Sequence, residues 1–199
     1  MWITTGELVQ GTLYTVGELA AQLGTSQTPV REALIQLANE GLVDVVRNRG
    51  FRVSEIADED LDEIVSCRLL LEVPLVAQVA SMDVTGSIAD LRRLADETVA
   101  AAERKDMETF LTADREFHLA LLRLAGNRRV VDIVARLRDQ TRLYGIRSLA
   151  EEDNLLASAN EHGKILDAVE AGDASASDLM ERHIRHARGI WAGRVEAQG

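Results

Sequence analysis

The apolar positions along this chain follow two regimes, and the change falls near residue 54. Before it, short helical segments give way to β-prone runs. After it, apolar residues recur every three to four positions in every segment, the spacing of amphipathic helices. In the first regime Thr15 and Glu18 stand three apart, a capping box that starts a short helix, and Leu19, Ala20 and Leu23 give that helix one apolar face. Gly24 supplies the positive φ that ends it. A second helix starts at once. Ser26 or Thr28 can cap it, Pro29 sits where a first-turn proline is tolerated, and Gly41 closes it. Val30, Leu34, Leu37 and Ala38 line its buried side. Two short helices joined by a tight glycine-containing turn form a helix-turn-helix. The β-prone runs Leu42–Val46 and Phe51–Val53 then flank Arg47-Asn48-Arg49-Gly50, a predicted hairpin that makes the unit winged.

Past Val53 the spacing predicts a linker over Ser54–Asp58 and then six helices. They run at about Asp58–Ala80, Gly86–Arg104, Asp106–Ala125, Asn127–Leu149, Glu151–Ala171 and Asp173–Arg194. Pro74 should kink the first. Gly126 with Asn127, and Gly172 with Asp173, are stop-then-start signals. The predicted fold is therefore mostly α. A winged helix-turn-helix occupies residues 1–54, and an all-α six-helix bundle occupies residues 55–199. A bundle of this kind can build a site in its core from side chains on facing helices.

Charge refines this picture without announcing a nucleic acid. The chain carries a net −11, yet residues 1–54 hold four Lys/Arg against five Asp/Glu, and the remainder holds 18 against 28. What points to DNA is local placement. Gln27, Thr28 and Arg31 would face outward on the second helix, and Arg47, Arg49 and Arg52 sit around the hairpin tip. Such side chains reach base edges and phosphates when the helix lies in the major groove. Helix-turn-helix geometry is also a packing solution, and by itself it does not require DNA. An acidic body behind a basic reading surface should give short-lived non-specific contacts and strong salt dependence. The single cysteine, Cys67, excludes an internal disulfide, fits a reducing cytosol, and is expected as an inert buried thiol. The start shows no signal-peptide pattern, and no uncharged run approaches the ~18 residues of a membrane span. A cytoplasmic protein is expected.

The bundle holds the candidate chemistry. Asp114 and His118, four residues apart, share one helix face flanked by Phe110, Leu111, Phe117 and Leu121. His162 lies among Leu155, Ala159, Ile165 and Leu166, and His183 among Leu179, Met180, Ile184 and Ala187. Any one inward histidine reads equally as a satisfied core residue. Three of the chain's four histidines, on separate helices and joined by a carboxylate, read as a divalent-metal site. Imidazole suits Zn and Ni, while the carboxylate leaves Mn open. A metal-dependent helical hydrolase is the competing class. The sequence offers it no His-Glu-x-x-His and no nucleophile–base pair, and it leaves the winged unit unexplained.

Beyond spacing, the chain resembles a family. Gly6-Glu7-Leu8, Leu19-Ala20, Leu23-Gly24, Ser26, Thr28-Pro29-Val30-Arg31-Glu32-Ala33-Leu34, Glu40-Gly41-Leu42-Val43 and Arg49-Gly50-Phe51-Arg52-Val53 are similar to the amino-terminal domain of GntR-family bacterial transcription regulators. That resemblance implies a recognition helix in the major groove bearing Thr28 and Arg31, and a wing tip in the minor groove bearing Arg49 and Gly50. The chain departs from the pattern twice. Gln27 stands where the family usually has arginine, and a glutamine prefers adenine edges and cannot pair with phosphate as a cation. Only Met1 to Thr5 precede Gly6, so the first helix of the winged unit is expected to be largely absent, or residues are missing before Met1. From Ile56 onward the chain resembles the FadR-type ligand-binding domain called FCD, through Glu63-Ile64-x-x-x-Arg68-x-x-x-Glu72, Asp114-Arg115-Glu116-Phe117-His118, Glu161-His162-x-x-Ile165-x-x-Ala168, Gly172-Asp173 and His183-Ile184. In that domain the positions matching Asp114, His118, His162 and His183 hold a divalent metal, a small organic acid binds beside it, and the position matching Arg68 lines the pocket. The alternative for Arg68 is a surface or interhelical ion pair with Glu72, four residues on. Together the resemblances imply a ligand-responsive transcription regulator, most often a repressor, that binds a palindromic operator as a homodimer because one helix reads only a half-site. A metal and a guanidinium in apolar walls favour a small hydroxy- or dicarboxylic acid. The short start and Gln27 also leave open a ligand-binding relative that has lost DNA binding.

Overall fold

The structure is a computed structural model that describes residues 8–39, 41–54, 58–148 and 152–191. The chain divides into two compact units, Met1–Ala57 and Asp58–Gly199. The first contains β1 (Leu13–Tyr14), α1 (Val16–Gln22), α2 (Gln27–Asn39), β2 (Val43–Val46) and β3 (Gly50–Val53). The capping box of α1 is formed, with Glu18 N donating to Thr15 Oγ1 at 3.2 Å and Thr15 N to Glu18 Oε2 at 2.9 Å. Gly24 follows α1 at φ 62°. Leu19, Ala20, Val30 and Leu34 bury the inner faces of the two helices against Leu42, Val43, Phe51 and Val53.

β2 and β3 form the expected hairpin, in register from Val43 opposite Val53 to Val46 opposite Gly50. The turn is closed by Arg49 N donating to the Val46 carbonyl at 2.9 Å, with Asn48 at φ 59°. A further strand, β1, has no signature in the apolar pattern. It adds to the other edge of β3, with Leu13 opposite Arg52 and Tyr14 opposite Phe51, so the strand order is β1-β3-β2. Its close approach explains Gly50, where φ is 134° and an added Cβ would overlap the Tyr14 carbonyl oxygen. The expected loss of a first helix concerns residues 1–7, which lie outside the described residues, as does most of the linker (residues 55–57).

The second unit consists of α3 (Asp58–Ala80), α4 (Ile88–Glu103), α5 (Met107–Arg123), α6 (Arg128–Ser148), α7 (Glu152–Glu170) and α8 (Ser175–Trp191). Asp106 caps α5 by accepting from Thr109 N at 3.1 Å. Gly126 and Gly172 take positive φ after α5 and α7, as their spacing predicts. α3 runs past Pro74 as one helix. It packs along α8, while α4 packs along α5 and α7. Phe117, Leu121, Ile165, Leu166, Met180 and Ile184 are completely enclosed between them. Along α3 the buried stripe reads Leu61, Val65, Arg68, Glu72, Val76 and Val79, so two charged residues occupy its middle. Cys67 corrects the sequence reading: the thiol is exposed. Its position is one residue from Arg68, about 100° around the helix and off the inward stripe. Among the described residues no helix is long and apolar enough to cross a membrane.

Candidate functional site

Within the first unit, Gln27, Thr28 and Arg31 are exposed on the first turns of α2, Arg47 and Arg49 are exposed at the wing tip, and Gly50 is half-buried. α2 sets the spacing of the first three, since residues three and four apart share a helix face.

The bundle brings Asp114, His118, His162 and His183 together, one ligand atom of each lying within 4.8 Å of all the others. α5 supplies Asp114 and His118, α7 supplies His162, and α8 supplies His183. His118 Nε2 is 3.0 Å from His183 Nε2, and Asp114 Oδ1 is 3.3 Å from His162 Nε2 and 3.8 Å from His118 Nε2. All three rings are buried, and Phe117 packs on two of them, with centroids 4.3 Å from His162 and 5.3 Å from His118.

Each imidazole turns its Nδ1 to a different helix. His118 Nδ1 faces Glu72 Oε2 at 3.3 Å, His162 Nδ1 meets Thr98 Oγ1 at 3.0 Å, and His183 Nδ1 meets Glu161 Oε2 at 2.8 Å. Hydrogen-bonded ring partners such as Thr98 and Glu161 hold a metal-ligating histidine in one tautomer and orientation, whereas His118 Nδ1 makes no hydrogen bond. The other oxygen of Glu161 pairs with His186 at 2.8 Å. Asp114 is held as well, its Oδ2 accepting from Arg138 Nη2 at 2.7 Å. Arg138 also reaches Glu72 Oε2 at 3.1 Å, and Arg68 Nε donates to the same carboxylate at 2.6 Å.

The electrostatics suit a cation. Burial lowers His162 to about 4 and drives His118 well below the usual histidine range, with Arg138 adding to it, so both rings are neutral at pH 7. Burial pushes the Asp114 carboxyl up, but Arg138 and the neighbouring imidazoles outweigh it and hold the carboxyl well below its usual range. Burial also pushes Glu72 up, and Arg68 and Arg138 overcome it. The donor set is thus three imidazole nitrogens and one carboxylate oxygen. One of them, His162 Nε2, is buried with no hydrogen-bond partner. A buried orphan acceptor among three other donor atoms is what a divalent ion would satisfy, and the residues fit one.

Arg68 sits at 1% exposure, ion-paired to Glu72. The partner is the one expected from their spacing, but the pair lies within α3 and in the core, not at the surface. Four parts of the site escape the sequence: Arg138, Thr98, Glu161 as a ring partner, and Glu72 beside His118. A signal existed for Thr98 and Arg138. Each is a polar residue on an apolar helical stripe, Thr98 with Leu91, Ala95 and Ala102 on α4, and Arg138 with Val131 and Val134 on α6.

A winged helix-turn-helix followed by a helical bundle is the architecture of a class of bacterial transcription regulators. The family model described as "FCD domain" matches residues 63–186, and that described as "Bacterial regulatory proteins, gntR family" matches residues 1–53. The chain belongs to the GntR family of transcription regulators, with an FCD domain, and these families are regulators and not enzymes. It is 35% identical over 187 residues to the "Probable D-xylose utilization operon transcriptional repressor" of Paenarthrobacter nicotinovorans, covering 94% of this chain and 80% of that one. It is 26% identical over 182 residues to the HTH-type transcriptional repressor RspR of Escherichia coli K12, covering 89% and 78%. Among solved structures it resembles E. coli McbR/YncC with a TM-score of 0.81 at 27% identity, over 96% of this chain and 92% of that one.

Proposed function

We propose that this regulator represses transcription by binding a palindromic operator as a homodimer in the cytoplasm, and that it senses a small hydroxy- or dicarboxylic acid beside a divalent metal. The observation that carries the reading is the convergence of Asp114, His118, His162 and His183 next to two buried arginines, Arg68 and Arg138. Zn, Ni or Mn bound there would act as a Lewis acid toward an acid's oxygens. Arg68 and Arg138 are the cations an incoming carboxylate would share with Glu72 and Asp114. On the DNA side, Gln27, Thr28 and Arg31 would read the major groove, and Arg47, Arg49 and Gly50 would form the wing contact. The likeness to named repressors supports repression.

A single titration scheme tests the whole. Purified protein should shift DNA from its own promoter region. Arg31→Ala or Arg49→Ala should weaken that binding by ~1–3 kcal/mol while leaving the melting temperature unchanged. One acid from a calorimetric panel should bind, and operator DNA should change its affinity by the same factor as the acid changes operator affinity, typically about five- to 150-fold. Arg68→Met, which fills the core and leaves Glu72 paired with Arg138, should lose the acid response and keep operator binding. Wild-type affinity in both DNA variants would move the reading surface elsewhere. Failure of every acid to bind would remove the sensing role, and failure to bind promoter DNA would leave a ligand-binding protein that does not act on its own operator.

A further inference from the structure

Thr98 is completely buried, at a place on α4 where helical spacing asks for an apolar side chain. Its hydroxyl has two neighbours: the Ala95 carbonyl oxygen at 2.6 Å and His162 Nδ1 at 3.0 Å. A hydroxyl has one proton to give and lone pairs to accept with, and a carbonyl oxygen can only accept. The proton therefore goes to Ala95, and toward His162 the hydroxyl is an acceptor. His162 Nδ1 must then carry the hydrogen of the neutral ring. Its Nε2 is left as a bare lone pair 3.3 Å from the Asp114 carboxylate, buried and without a hydrogen-bond partner.

For the polypeptide alone this is the less comfortable tautomer. A hydrogen on Nε2 would donate to Asp114 in a charge-assisted bond, whereas two acceptor atoms facing each other repel. We infer that Thr98 is a positioning residue: its hydroxyl, turned by the Ala95 carbonyl, holds His162 as the Nδ1–H tautomer and keeps Nε2 open for a divalent cation. This rests on the metal-centre reading above. It assigns to one methyl-sized polar group the choice between an occluded site and a receptive one.

The test reads the tautomer directly. In protein labelled with ¹⁵N-histidine and stripped of metal by chelation, long-range ¹H–¹⁵N correlations distinguish a protonated Nδ1 from a protonated Nε2, and the loss of one set in His162→Asn assigns the ring. Wild type should show Nδ1–H. Thr98→Val, equal in volume and lacking the hydroxyl, should show Nε2–H, and its Zn(II) affinity should fall about 10- to 100-fold, the range for loss of a ligand's outer partner. Thr98→Ser should restore both readings, and Thr98→Ala replaces valine if the branched side chain prevents folding. An Nε2–H ring in wild type overturns the inference, as does a tautomer or Zn(II) affinity unchanged in Thr98→Val. A wild-type protein that takes up no Zn(II) overturns instead the metal reading on which the inference stands.

Discussion

His162→Ala should purify with no bound metal, where the wild-type chain should carry ~1 equivalent of Zn, Ni or Mn held by its four protein ligands. His162 is the ligand to remove because its ring is completely buried and its Nε2 serves no hydrogen bond. At that nitrogen its polar neighbour is the Asp114 carboxylate, 3.3 Å away, and the ion the site is proposed to hold. Ion binding to the folded state alone stabilises it by mass action, by ~2.7 kcal/mol when the ion is at 100 times its dissociation constant. A chelator should therefore lower the melting temperature of wild type and leave that of His162→Ala where it was. Acid acts in the same direction. Burial holds His162 at about 4 against 6.5 in the unfolded chain, so between these values the unfolded chain binds more protons, and stability is lost as pH falls below 6.5. Elemental analysis beside thermal melts decides the matter, and equal metal in the two proteins would end the assignment.

The other large effect is expected at Glu72. Its carboxylate is fully enclosed and stands between Arg68 Nε at 2.6 Å, Arg138 Nη1 at 3.1 Å and His118 Nδ1 at 3.3 Å. Replacing it with leucine keeps the volume and leaves Arg68 and Arg138 buried without their shared counter-ion. Breaking a buried pair from one side costs ~3–5 kcal/mol, a large part of the ~5–15 kcal/mol that holds an ordinary domain folded. Glu72→Leu should therefore unfold the bundle at much lower temperature. Glu72→Gln, which keeps an acceptor oxygen, should lose less. Arg68→Met placed on Glu72→Leu should recover part of the loss, since the buried guanidinium that faced Glu72 is then gone. Thermal melts followed by circular dichroism would measure all three. A Glu72→Leu protein that melts with wild type would show that water or a rearranged partner already serves the arginines.

Much of this is legible in the sequence. Helical period marks the inward face of each segment, so Asp114, His118, His162 and His183 could be placed indoors, and the scarcity of histidine made their company noticeable. Each predicted bundle helix overlaps its structural counterpart, because glycines and capping residues mark the ends. Period does not say which residues on different helices meet. Arg138 contacts Glu72 and Asp114 across 66 and 24 positions of sequence, and the link from Thr98 to His162 spans 64. β1 was illegible because a two-residue strand is too short to show alternation. The exposure of Cys67 is hidden in the sequence for a related reason. α3 has an almost continuous apolar run around it, in which inner and outer faces differ little, and Leu70 on its outer side is 73% exposed.

Every helix of the bundle gives at least one polar side chain to the same cluster: Glu72 from α3, Thr98 from α4, Asp114 and His118 from α5, Arg138 from α6, His162 from α7 and His183 from α8. This constrains how the gene can change length. One residue inserted upstream within any of these helices turns everything beyond it by about 100° relative to the preceding turns, enough to swing a contributor out of the core. The same insertion in the segment between α3 and α4, or between α7 and α8, turns nothing and is absorbed as loop. Substitutions on the outer surface and insertions in the links are thus open to drift, while the number of residues in each helical stretch leading to the cluster is not. A scan of single-residue insertions scored by retained metal should divide the bundle along these lines.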